Sequence, residues 1–214
     1  MTMSIRRIAI AAAGLALTAG VSAPSAASAS SSAPTGTRSL AEVLLADGNQ
    51  FDSNSADFDI VTEAVLAVLA AKPASPVKVL TDGSVPLTAF IPDDKAFRIL
   101  AISLTGSGGT EQEVFGKVAG LGIDTVEQVL LYHVVPGATI TSRAAARADG
   151  AALTTALGPT ITVDVLNRHV PVIKLIDKDR DAANPMISRA ALNINKGNVQ
   201  IAHGISRVLR PVNL

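Results

Sequence analysis

Three histidines and one run of alternating carboxylates are the side chains in this sequence best suited to acid–base, nucleophilic or metal chemistry. His133, His169 and His203 lie far apart and form no His-x-x-x-His or Glu-x-x-His pair, so a metal centre would have to be assembled by the fold alone. The carboxylate run, Asp177-Lys178-Asp179-Arg180-Asp181, begins like a calcium loop. It then offers Ala182 where such a loop needs glycine for its sharp turn, and Ser188 where it needs a closing bidentate glutamate. A solvated, charge-paired loop is the better expectation. The chain has no cysteine, which excludes thiol catalysis and thiolate ligation. Gly106-Ser107-Gly108-Gly109 lacks the spacing of a nucleophile elbow, and no glycine-rich phosphate cradle follows a strand. No catalytic residue, metal ligand or cofactor is therefore predicted.

His133 carries the strongest pattern of the three. Counted from the capping-box sequence Thr125-Val126-Glu127-Gln128, it completes the stripe Val126, Val129, Leu130, His133 that faces a core. A buried imidazole must satisfy both nitrogens, and the Thr88 hydroxyl or nearby backbone is available for that. His203 shares strand parity with Val199 and Ile201, which predicts partial burial.

The elements that position these groups start at Ser39, where Ser39-Leu40-Ala41-Glu42 has the form of a capping box. A second helix is predicted from Asp59, as N-cap, to Ala71, stopped by Pro73 and Pro76. Thr110-Glu111-Gln112-Glu113 opens another helix, and the glycine clusters at 106–109 and 120–122 read as flexible joints. Early strands are expected around Val77–Leu80 and Leu87–Ile91. Alternation of Ile161, Val163 and Val165 with polar residues predicts a strand, followed by another over Val170–Ile176. Asn195-Lys196-Gly197-Asn198 suggests a hairpin turn, and Ser206–Arg210 a last short strand closed by Pro211. The class is α+β with an antiparallel or mixed sheet. No element is assigned to Asp47–Asp57.

At the N-terminus, Arg6 and Arg7 precede an apolar run from Ile8 to Val21 and the small-x-small triplet Ala27-Ser28-Ala29. The run is shorter than the roughly 20 residues a membrane span needs, but suits a signal peptide. Residues 1–29 are expected to be cleaved, 30–38 to form a flexible linker, and 39–213 to form one domain. Cleavage would remove two arginines and leave 16 basic against 18 acidic residues, a net charge of −2. No nucleic-acid partner is implied. With no Trp, one Tyr and five Phe, the core must be mainly aliphatic.

Three segments together resemble the fasciclin-like domain family. Thr88-Ala89-Phe90-Ile91-Pro92-Asp93-Asp94-Lys95-Ala96-Phe97 is similar to its T-V-F-A-P-T-[ND]-x-A-F stretch, with Asp93 in place of the usual Thr, a change that keeps a hydrogen-bond acceptor at a helix start. Leu131-Tyr132-His133-Val134-Val135-Pro136-Gly137 resembles the L-x-Y-H-V-V-P-G motif. Asn195–Pro211 resembles the closing motif, with Gly197, Val208, Leu209 and Pro211 in place and Ser206 where the family has Asp. The resemblance implies a wedge-shaped β-sandwich with several helices packed at one side, and gives Thr88, Phe90, Pro92, Asp94, Phe97, Pro136, Gly137, Val208, Leu209 and Pro211 structural roles. From animal relatives it also implies Tyr132 and His133 as a partner-binding site.

The function implied is that of a secreted, non-enzymatic, monomeric adhesion or binding module, as in secreted bacterial single-domain relatives. Its partner would be an extracellular protein, polysaccharide or polymer surface at the cell envelope or matrix, with no membrane span after cleavage. Two other classes stand beside it: a secreted carrier holding a small apolar ligand between sheet and helices, and a hydrolase with a non-standard site. The cleavage expectation is checked by mass spectrometry of the exported protein, whose first residue should be Ser30; an intact Met1 would refute it.

Overall fold

The computed structural model describes residues 34–167 and 170–214. The expected signal peptide, the start of the linker and His169 lie outside the described residues.

The chain enters through a short helix α1 (Leu40–Leu44), started by the predicted capping box: Ser39 Oγ accepts the Glu42 N–H and the Glu42 carboxylate accepts the Ser39 N–H. Helix α2 (Asp59–Ala71) follows, then strand β1 (Leu87–Pro92) and helix α3 (Asp94–Thr105). Pro92 ends the strand, and Asp93 caps α3 by accepting the Ala96 N–H at 2.8 Å, so the departure from the family residue preserves the capping function. Helices α4 (Glu111–Ala119) and α5 (Ile123–Tyr132) lead into β2 (Val134–Pro136) and the single turn α6 (Ser142–Ala145). The last third holds β3 (Ala152–Thr154), β4 (Thr160–Asn167), β5 (Val172–Ile176) and β6 (Gln200–Ile205).

The described residues form two three-stranded sheets. One has the order β2-β1-β6, with β1 antiparallel to β2 and parallel to β6; the other is the antiparallel meander β3-β4-β5. β1 and β6 are buried along their whole length, the signature of strands covered on both faces. Leu87, Ala89 and Ile91 pack with α1 to α5 in one aliphatic core, while Phe90 and Ile205 meet Ile161, Val163, Val165, Ile173 and Leu175 of the second sheet in another. The layers are helices, central sheet and outer sheet. On β4 the predicted alternation holds: Ile161, Val163 and Val165 are buried, while Asp164 pairs outside with Lys174 at 2.8 Å.

Several expectations are corrected. Val77–Leu80 lies in a 3₁₀ helix (Pro76–Thr81), because Pro76 sits in its first turn and Ser75 Oγ accepts the Val77 N–H. Helix α5 starts at Ile123, so Thr125 lies inside it rather than capping it; Gly122, at φ 89°, takes the entry position. The predicted hairpin is reduced to one antiparallel rung, Ile194 with Ala202, since residues 189–191 form a 3₁₀ turn instead. Ser206–Arg210 is not a strand: pairing ends at Ile205, and the chain then bends. The glycine cluster at 106–109 is held as well, by Lys117 Nζ on the carbonyls of Ser107 and Gly108.

Residues 36–38, expected as linker, are part of the domain. Gly36 bridges Asn198 in parallel, with bonds to Gly197 O and from Val199 N, and the Thr37 carbonyl lies where a Cβ on Gly83 would be, 1.7 Å away. Buried Gln200 completes the attachment: its Oε1 accepts the Leu40 N–H at 2.8 Å, and its Nε2 donates to the carbonyls of Val79 and Asp82. Replacing it strands all these groups in the interior, so Gln200→Ala should cost roughly 3 kcal/mol in urea denaturation; a loss below about 0.5 kcal/mol would refute the anchoring role.

Candidate functional site

The motif residues converge where β1, the end of α5 and the segment after β6 meet. Phe90 N–H donates to the His133 carbonyl at 2.9 Å. Tyr132 is wholly buried against the outer sheet and its hydroxyl donates to Thr160 O at 3.1 Å; burial pushes its phenol up to about 12. His133 is turned the other way. Its Nδ1 lies 2.6 Å from the Val129 carbonyl and its Nε2 accepts the Leu209 N–H at 2.9 Å, which assigns the proton to Nδ1. Burial pulls the imidazole down to about 4, so it is neutral at physiological pH. Backbone, not Thr88, satisfies it.

Thr88 has a different task. Its hydroxyl donates to Ala138 O at 2.7 Å and accepts the Ile140 N–H at 2.8 Å, fixing the segment after Pro136 and Gly137. Gly137 has φ 80°, a left-handed turn that a side chain would strain, and its N–H reaches Pro86 O at 2.8 Å. Val208 and Leu209 part at the far end: Val208 packs with the helices and Leu209 between the sheets. Phe97 belongs to the helical core. Pro211 follows at the half-exposed chain end. The sequence motifs are thus brought together as one buried joint.

Asp94 does what was expected of Asp59. Its two carboxylate oxygens accept the N–H groups of Asp59 and Ile60 at 3.3 and 3.0 Å, capping α2 from another element, while Asp59 is the first helical residue. Carboxylate oxygens of Asp57, Asp94 and Glu111 lie within 4.8 Å of one another. The unassigned loop supplies part of this cluster: Asp94 N–H donates to Asp57 O, and Glu111 accepts the Asp52 N–H at 2.7 Å. Burial, reinforced by a hydrogen bond with Asp57, pushes Asp94 up to about 8, so at neutral pH it holds a proton. That proton relieves the repulsion among the three carboxylates. Sequence reading missed the cluster because its members are 37 and 17 residues apart and share no motif.

The remaining candidates are also spoken for. His203, fully buried, has Nε2 2.8 Å from Ile140 O and accepts the Asn193 N–H on Nδ1. In the Asp177–Asp181 loop, Asp177 and Asp179 accept N–H groups two residues on, Asp179 pairs with Arg210 at 3.3 Å, and Asp181 accepts from Asn213. Ser206 Oγ accepts the Met186 N–H at 3.0 Å.

His133→Ala removes buried volume and orphans the Leu209 N–H, and should cost roughly 2–4 kcal/mol at pH 7.5. The wild-type histidine binds fewer protons folded than unfolded between pH 6.5 and about 4, so stability falls as pH falls through that window. Urea denaturation at pH 7.5 and 4.5 should show the variant's deficit shrinking at the lower pH; a deficit independent of pH would count against a buried neutral imidazole.

The family model "Fasciclin domain" matches residues 62–211, most of the chain, so α1 and the start of α2 precede the matched stretch while packing in the same core. Among solved structures, the chain is similar to a FAS1 domain pair from the insect cell adhesion molecule fasciclin I, at 14% identity, covering 70% of this chain and 46% of that one, with a TM-score of 0.48. The chain thus spans less than half the length of that relative. No curated protein matches the sequence. With its three motif segments joined in one buried knot and most of its length matched by the family model, this chain belongs to the fasciclin domain family.

Proposed function

We propose that this is an exported, non-enzymatic adhesion or binding module that engages an extracellular protein, polysaccharide or polymer surface through its exposed faces. The observation that carries the reading is the fate of the polar motif residues. His133 has both nitrogens bonded to backbone, Tyr132 and Thr88 are buried with their hydroxyls engaged, and Asp94 caps a helix. Groups used in this way do not meet a substrate, and a partner must find its contacts elsewhere on the surface. Tyr132 and His133 are 0% and 5% exposed, so neither presents a side chain to a docking protein.

Membership of the fasciclin family supports the adhesive reading, and the signal-like N-terminus supports export. Among the described residues no helix is long and apolar enough to cross a membrane. The carrier reading needs a chamber between helices and sheet. The cavities beside His133 hold about 20 Å³ each, the room of a single water, and give it none there.

The test is binding of labelled exported protein to isolated envelope and matrix material from the producing cells, alongside an esterase and glycosidase panel. Saturable binding without turnover is the expected outcome. Catalytic turnover that survives repurification, or no binding to any surface fraction, would overturn the proposal.

A further inference from the structure

A wide recess lies away from the motif joint, flanked by α6, the start of β5 and the loop before β6. It has a volume of about 680 Å³, within the usual range of small-ligand sites. Its floor is aliphatic, with Ile173, Ile187 and Leu192, and Leu192 is 37% exposed. Around it stand Arg143, Arg147 and Arg189, all exposed and, among the described residues, paired with no carboxylate. Among the described residues the lining contains one acidic residue, Asp149, whose Oδ1 is already engaged by the Val165 N–H at 3.0 Å.

The recess is preformed rather than a gap between loose segments. Asn193 clasps the start of α6 twice, accepting the Ser142 N–H at 2.8 Å and donating to Ser142 Oγ at 2.7 Å, so the α6 wall and the Leu192 wall are tied together. His203 holds the same loop through the Asn193 N–H. Such preorganisation lowers the ordering cost of binding.

From an aliphatic floor beneath three uncompensated guanidiniums, we propose that this recess binds a monomeric medium- or long-chain carboxylate, the acyl chain along Ile173, Ile187 and Leu192 and the carboxylate between the arginines. Guanidinium forks match a carboxylate in bidentate geometry, and the chain gains about 0.8 kcal/mol for each methylene it buries. An acidic glycan fits the lining less well, because its floor is aliphatic and the described residues that line it include no aromatic ring to stack on a sugar. The site is independent of the adhesive reading: either can fail without the other.

The experiment is calorimetric titration of the exported protein with sodium laurate below its micelle concentration. Expected are one site, affinity at least about tenfold weaker for dodecanol, and a loss of at least about tenfold in the double variant Arg143→Glu/Arg189→Glu. Leu192→Asp, a change at an exposed position, should weaken laurate similarly, and unchanged thermal melting of each variant shows that the fold is intact. No laurate binding, equal affinity for dodecanol, or full affinity in both folded variants would overturn the proposal. Binding to phosphatidylglycerol vesicles without binding of laurate would also overturn it, in favour of a membrane surface.

Discussion

The parallel pairing of β1 with β6 is the constraint on which the rest depends. It joins residues 87–92 to 200–205 over six registered positions, so more than a hundred residues must be folded back before it closes. Because both strands are covered on both faces, their backbone groups have no water to turn to and must pair with each other. Helices α3 to α5 and the outer sheet lie within the loop that this pairing closes, and α2 joins the helical core from before it. The helices cover one face and the outer sheet the other, and each core is finished by a residue from the closing segment, Val208 on one side and Leu209 on the other. A chain without disulfides can hold such a long closure because the closing strand repays it on two hydrophobic faces at once.

That arrangement also decides what becomes of the polar residues. His133 leaves α5 at the point where the chain enters β2, and its ring spans from the Val129 carbonyl to the Leu209 amide. It acts as a strut between helix and closing segment, joining groups too far apart to bond directly. Gln200 plays the same part at the other end, between α1 and the 3₁₀ segment. Both satisfy backbone groups that the layered packing would otherwise leave stranded, and both are excluded from solvent by the layers they hold.

Many local signals are legible in the sequence. The capping boxes at Ser39 and Thr110, the bounds of α2, the alternation on β4 and the burial of His133 each depend on neighbours within a turn or two. What was missed depends on partners distant in sequence. Asp59 looks like an N-cap until Asp94 arrives from 35 residues away to do the capping. Val77–Leu80 is the local exception: its hydrophobic residues read as strand, but the adjacent Ser75 and Pro76 set a 3₁₀ turn. Residues 36–38 have a linker's composition, yet they dock because the turn at 197–199 offers backbone partners. The acidic cluster was illegible for the same reason, while the motif segments could be placed together because their resemblance carried long-range information that periodicity lacks.

Two of the strongly perturbed groups, His133 and Asp94, pull stability in opposite directions as pH changes. His133, depressed to about 4, favours the folded state above its ordinary titration and withdraws that support as pH falls from 6.5 toward 4. Asp94, raised to about 8, binds its proton more tightly folded than unfolded, so its support is full in acid and is lost as pH rises from about 4 toward 8. Their windows overlap between about 4 and 6.5, where one slope offsets the other. A domain carrying either group alone would be tuned to one side of neutrality. Together they flatten each other's dependence across the mildly acidic range.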